Sequence, residues 1–401
     1  MEMRPAPIPA ATPRLHALDN LRALMMWLGI VLHVASIHLV GPSVLAWRDE
    51  QRTFVADLLV GFIHAFRMPL FFILAGFFAA LLIQSRGSAG MAWHRLRRLG
   101  LPFLLFWPPL FALVLVFALL FVHRMARGSW GLDHSLMPLT PEYQGPATIH
   151  LWFLWLLLWL SLLAALAAAL RARWPSWRGF EGAGAALRRL GTAWWGFALL
   201  ALPLAWAGWD YPRGVLTPSG QFLPPVAEWV HNGLFFVFGL TLFHRPSELF
   251  ALYQRRWWVY AVAGTALFLA SGALMERHAA TGWIAVLYNA ASWLLCFALL
   301  GVGTRWLTQR QRALAYLADS SYWVYLVHMP LTIGFGALLY GQPLPALVKM
   351  AINIAATTAI CLASYQLAVR STWVGALLTG KRHPRRQDSD GPLPGLPDNA
   401  S

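Results

Sequence analysis

Arg22 and His33 stand 11 residues apart in the segment LDNLRALMMWLGIVLH. On an α-helix that spacing returns to within about 20° of the same face, with about 16 Å between the two along the axis. A histidine is the natural general base near neutral pH. An arginine grips anions through a fixed fork of donors. The residues around this pair are apolar, and ionisable groups at membrane depth are costly and mostly functional. A second segment, HAFRMPLFFILAGFF, sets His64 and Arg67 at i, i+3 on one helix face. Arg67 lies about ten residues into apolar sequence, too deep to snorkel. It therefore needs a counter-charge, a carbonyl cluster or an anionic ligand.

Three further groups carry polar chemistry. In DSSYWVYLVHMP, Ser321, Tyr325 and His328 follow i, i+4, i+7, a stripe that either joins helices or lines a site. Glu228, His231 and Asn232 form a similar group, readable as an entrance, a gate or packing. In MAWHRLRRLGLPF, Arg95 and Arg98 are i, i+3 neighbours that suit phosphate groups or, equally, lipid headgroups. Asp19, three residues before Arg22, either pairs with it or serves as a helix N-terminal charge.

The elements that must position these residues follow from composition. Of 401 residues, 58% are hydrophobic and only 12% charged, about half the charge of an ordinary soluble domain. A water-soluble enzyme, a disordered chain and a collagen-like chain are excluded, and the sequence reads as an integral membrane protein. Cys296 and Cys361 lie inside apolar runs, so neither a disulfide framework nor a metal cluster is expected. The first 20 residues have no contiguous apolar core and read as a cytoplasmic tail rather than a signal peptide.

Ten runs are long and apolar enough to span a bilayer: 21–40, 58–83, 101–122, 150–170, 192–209, 226–243, 257–275, 282–303, 320–340 and 346–369. The net charge of +15 comes from 31 basic and 16 acidic residues. With the N-terminus inside, 23 of the basic residues fall on the cytoplasmic side and 6 outside; Arg67 and Lys349 lie within spans. That bias fits the enrichment of Lys and Arg in cytoplasmic loops and makes nucleic acid unnecessary to explain the charge. The expected fold is all-α: a polytopic helical bundle of about ten transmembrane helices with both termini inside. Residues 1–20 form a tail, 21–370 one transmembrane domain, and 371–401 a polar, Pro-rich, disordered tail.

These segments resemble the acyltransferase 3 family of bacterial integral-membrane enzymes. LDNLRALMMWLGIVLH fits its Arg-x10-His pattern, and HAFRMPLFFILAGFF, RLRRLGLP, HLWFLW from His150 and SYWVYLVHMP follow in order. Residues 174–314 match little that is specific. The resemblance implies transfer of an acyl group from cytoplasmic acyl-CoA, acetyl-CoA or succinyl-CoA, to hydroxyls of a periplasmic glycan. It makes His33 the catalytic histidine, Arg22 its partner in the motif and Arg67 a site arginine, with Arg95 and Arg98 meeting the CoA phosphates. His64, His150, Ser321, Tyr325, His328 and Asp19 become acceptor-side or supporting polar groups. It implies no metal and no permanently bound cofactor, and a place in the bacterial inner membrane. A transporter is the competing expectation, because buried Arg, His and Tyr stripes also line substrate paths.

Overall fold

The computed structural model describes residues 13–137, 146–174, 179–244, 246–309 and 311–380, and among them every regular element is helical. The elements are α1 (Pro13–Ala35), α2 (Phe54–Arg95), α3 (Leu101–Arg127), α4 (Trp152–Arg173), α5 (Gly179–Thr192), α6 (Gly196–Gly208), α7 (Val226–His244), α8 (Pro246–Glu276), α9 (Thr281–Trp306), α10 (Arg312–Leu339), α11 (Ala346–Ser364) and α12 (Trp373–Thr379). Because lipid offers no partner to a free backbone polar group, helices with internal hydrogen bonds are the form such apolar runs take.

Eight helices among the described residues are long and apolar enough to cross a bilayer, or nine if one bent pair counts as a span. One of the eight is the 74-residue stretch Phe54–Arg127, several times the length a bilayer needs. It holds two of the expected spans. Gly87 breaks α2 with φ of 72°, in the left-handed region. The chain beyond it doubles back far enough for Arg95 Nη2 to reach the carbonyl of Ala75 at 3.5 Å.

The expected span over 192–209 is shorter in the structure and enters through a bend. α6 has 13 residues, about 20 Å of helix and two thirds of the hydrocarbon thickness. It meets the preceding helix at 117°. The turn is tight because Gly196 lies against the Leu190 carbonyl, where a Cβ would not fit. The second correction concerns the tail, since residues 373–379, expected to be disordered, form α12. The sequence WVGALLT is apolar, Leu378 is buried, and two of its last carbonyls are taken up by Arg98. Residues 381–401 lie outside the described part.

The loops divide between two ends of the bundle. At one end the segment 39–53 is tied down. Asp57 accepts the Val40 and Gly41 N–H groups, Arg48 donates to the Leu39 and Gly41 carbonyls, and Tyr340 donates to Glu50. That phenol is pushed up to about 12 by desolvation and by the Glu50 carboxylate. Beneath the loop, Lys349 Nζ donates to both oxygens of Asp49 at 2.9 and 3.0 Å, with each residue 1% exposed. The opposite end carries Arg22, Arg95 and Arg98. The main core runs between them, through α2, α4, α7 and α9, packed with aromatic rings such as Phe72, Phe153, Phe235 and Trp293.

Candidate active site

The site is built where α1, α2, α4 and α10 converge. Arg67 is 7% exposed. Its Nε donates to the Met25 carbonyl of α1 at 2.8 Å. The guanidinium comes this close because residue 29 is glycine: a Cβ there would stand 2.6 Å from Arg67 Nη2 and 3.3 Å from His328 Nε2. Gly29 thus marks the point where Arg67 and His328 face each other against α1. Among the described residues no carboxylate pairs with Arg67. A buried guanidinium with one carbonyl partner and spare donors is an uncompensated cation.

Three histidines stand beside it. The rings of His33 and His328 have centroids 5.1 Å apart, tilted by 46°, and His150 meets His328 edge-on at 5.4 Å. Their tautomers follow from their partners, since a carbonyl only accepts. His328 Nδ1 lies 2.8 Å from the Tyr325 carbonyl and 3.0 Å from that of Val324, so it carries the proton. His150 Nε2 donates to the Leu326 carbonyl at 2.9 Å. The remaining nitrogens, His328 Nε2 and His150 Nδ1, are buried without a partner. In the neutral rings both are bare lone pairs.

His150 is held by an irregular entry to α4. Ile149 has φ of 49°, a strained position for a β-branched residue. Tyr325 OH donates to the His150 carbonyl at 2.9 Å, and Thr148 N–H donates to the Gly220 carbonyl at 2.7 Å. Strain of this kind persists only where the surroundings over-determine it, and here contacts from α10 and the 211–225 strap do so.

Of the residues singled out in the sequence, His33, Arg67, His150, Tyr325 and His328 are brought together. Ser321 is not, because its hydroxyl donates to the Ala318 carbonyl in its own helix. His64 lies one turn before Arg67, and its Nε2 donates to the Leu216 carbonyl at 3.2 Å. Arg22 sits on the same unbroken helix as His33 but at the other end of the bundle. It pairs with Asp19 at 3.1 Å, both side chains about 40% exposed (40% and 43%), and lies over the Phe78 ring. It does not reach the histidines.

Arg95 lies within electrostatic range of Arg22, and its Nε is buried without a partner. Arg98 differs: its Nη1 donates to the Ala376 and Leu377 carbonyls at 2.9 and 2.6 Å, closing the end of α12. Tyr322 OH donates to the Arg98 carbonyl at 2.8 Å and ties this arginine segment to α10.

Sequence reasoning missed Gly29 and the Asp49–Lys349 pair. A signal for Gly29 exists, since a glycine inside an apolar helix costs about 1 kcal/mol relative to alanine and wants a reason. The arrangement suits proton abstraction by a neutral imidazole and stabilisation of a developing oxyanion by Arg67.

Comparison with known proteins identifies the family of the chain. The acyltransferase domain profile of the acyltransferase 3 family matches residues 15–366. Glucans biosynthesis protein C from Salmonella paratyphi A is 26% identical over 397 residues, covering 94% of this chain and 97% of the relative. The same protein from Salmonella agona (strain SL483) and from Salmonella dublin gives the same identity and coverage. No solved structure matches the chain. With its fold, its convergent motifs and a match over most of its length, this multi-pass membrane protein belongs to the acyltransferase 3 family.

Proposed function

We propose that the protein moves an acyl group, acetyl or succinyl, from cytoplasmic acyl-CoA to a hydroxyl of a glycan on the far side of the bacterial inner membrane. The name of the relatives, glucans biosynthesis protein C, supports a glucan as acceptor. The arginine bias of the loops supports both termini inside. In that orientation Arg22, Arg95 and Arg98 face the cytoplasm, and Arg95 and Arg98 bind the donor's phosphates. The thioester then reaches about 16 Å along α1 from Arg22 to His33.

The observation that carries this reading is Arg67, a buried guanidinium without a carboxylate among the described residues, set against His328 beside His33. In the reaction the acceptor hydroxyl oxygen attacks the thioester carbonyl carbon while His33 takes the hydroxyl proton. Arg67 donates to the oxyanion that forms, a contribution of a few kcal/mol. The C–S bond then breaks, and the thiolate of CoA takes the proton back from His33. With a succinyl donor, the spare N–H groups of Arg67 also suit the distal carboxylate.

The test is glycan acylation by a His33→Ala variant that inserts at normal levels. The expected result is loss of transfer, and retained activity would remove His33 as the base. Donor binding is read separately. Acyl-CoA should raise the thermal stability of the wild type, and the gain should vanish in Arg95→Ala plus Arg98→Ala. A gain that persists would assign those arginines to lipid headgroups.

A further inference from the structure

The last turns of α3 and α10 meet at the end of the bundle away from Arg98. Between them runs a groove with a cavity volume of about 200 Å3. Its walls are apolar: Phe117 and Leu120 from α3, Leu331, Gly334 and Phe335 from α10, and the half-exposed Trp130 ring beyond the end of α3. A water molecule takes about 30 Å3 of liquid, so the groove has room for about six or seven groups of that size. That is enough for part of one hydrocarbon chain.

Two glycines of α10 differ in what they do here. Gly336 is required by packing, since a Cβ there would stand 2.8 Å from Ile37 Cδ1 and 2.9 Å from Phe121 Cε1. Gly334 is not, because a Cβ there would meet Phe117 at 3.5 Å, an ordinary contact. A glycine inside a helix is unfavourable relative to alanine. At 334 close packing gives no reason for it, and an open groove does.

The groove also has a cation at its rim. The Arg124 guanidinium lies over the Trp130 ring, 4.5 Å from its centroid. Its Nε and Nη2 lean on the Tyr340 carbonyl at 3.4 and 3.3 Å. The neighbouring charges are spoken for: Arg127 pairs with Asp133 at 3.3 Å, and Glu50 accepts from the Tyr340 hydroxyl. Among the described residues Arg124 has no carboxylate. Two long bonds to one carbonyl leave most of the five guanidinium donors for a ligand. Tryptophan and arginine at the end of spanning helices stand at headgroup level. A soluble anion has no use for the apolar slot, and an uncharged lipid has none for the arginine.

We propose that the groove is a site for an anionic phospholipid of the leaflet opposite Arg22, Arg95 and Arg98. Its phosphate sits on Arg124, and one acyl chain lies between α3 and α10. Leu331 stands three residues beyond His328, about 4.5 Å along the axis, so the inner end of the groove is one turn from the histidine cluster. The lipid backs the stretch of α10 that carries His328. This site needs a bilayer and does not depend on the acyl-transfer reading.

The experiment titrates the purified full-length protein, stripped of lipid in detergent, with dioleoylphosphatidylglycerol or dioleoylphosphatidylcholine. Binding is read by native mass spectrometry and thermal unfolding, with each variant compared to the wild type at the same lipid ratio so that lipid held elsewhere cancels. Phosphatidylglycerol should bind more tightly and raise the unfolding temperature more. Arg124→Gln removes the charge and should weaken phosphatidylglycerol about fivefold, leaving phosphatidylcholine unchanged. Gly334→Leu fills the slot and should weaken both lipids. Leu338→Trp crowds the slot from its exposed side and keeps the test decisive should Gly334→Leu fail to fold. Equal binding of the two lipids by the wild type, or undiminished phosphatidylglycerol binding in folded Arg124→Gln, overturns the proposal. So does a loss confined to Arg124→Gln with the slot variants unaffected, which would mean a headgroup contact without a seated chain. Stabilisation by glycerol phosphate as large as that by phosphatidylglycerol would assign Arg124 to a soluble anion and overturn it as well.

Discussion

Among the described residues two cations, Lys349 and Arg67, are buried, and they are treated in opposite ways. Lys349 meets Asp49 through two hydrogen bonds, with both residues 1% exposed. Arg67 is buried nearly as deeply but has one backbone carbonyl and no carboxylate among the described residues. A paired buried charge is a clamp, because removing either partner strands the other. An unpaired one is costly to the fold unless something transient completes it. The comparison separates structure from chemistry more sharply than burial alone does.

Five variants test that contrast. Lys349→Ala leaves Asp49 buried and unpaired and should cost about 3–5 kcal/mol, seen as a large fall in thermal unfolding temperature. Lys349→Met with Asp49→Asn should recover most of it, and a single mutant as stable as the wild type would deny the clamp. Arg67→Met should do the reverse, lowering transfer by about 100- to 1,000-fold while stability holds or rises. A destabilised Arg67→Met with normal activity would make Arg67 structural. Gly29→Ala pushes a methyl group towards Arg67 Nη2 and should lower transfer by about ten- to a hundredfold through misplacement of the guanidinium, with little change in donor affinity. Tyr325→Phe removes one hydrogen bond to the His150 carbonyl and should cost about 1 kcal/mol of stability. A loss of transfer as large as that of Arg67→Met would instead place the phenol at the reacting carbonyl.

The sequence made one half of this comparison visible. Arg67, His33 and His328 stand out because apolar helices rarely carry ionisable groups, and helical periodicity tells which of them share a face. Periodicity gives a face but not the partner across it. The partnership of Lys349 with Asp49 joins residues 300 apart, and that of Tyr325 with His150 joins residues 175 apart. Nothing local encodes either. Hydropathy is similarly blind to direction: it measures how apolar 192–209 is, but not the 117° bend that enters it. Nor does a polar tail composition foretell that the carbonyls of WVGALLT will find a donor in Arg98.

Gly76 and Gly239 carry a consequence for how substrates enter. Each packs against the other helix's backbone: a Cβ on Gly76 would collide with the Phe236 carbonyl of α7, and one on Gly239 with the Ile73 carbonyl of α2. Such reciprocal small-residue contacts bring two helices to their closest approach. α2 carries Arg67 and His64, and α7 carries His231, so these three side chains are riveted into one rigid frame. Substrates must therefore enter without parting these two helices, which stay fixed like the jaws of a locked vice.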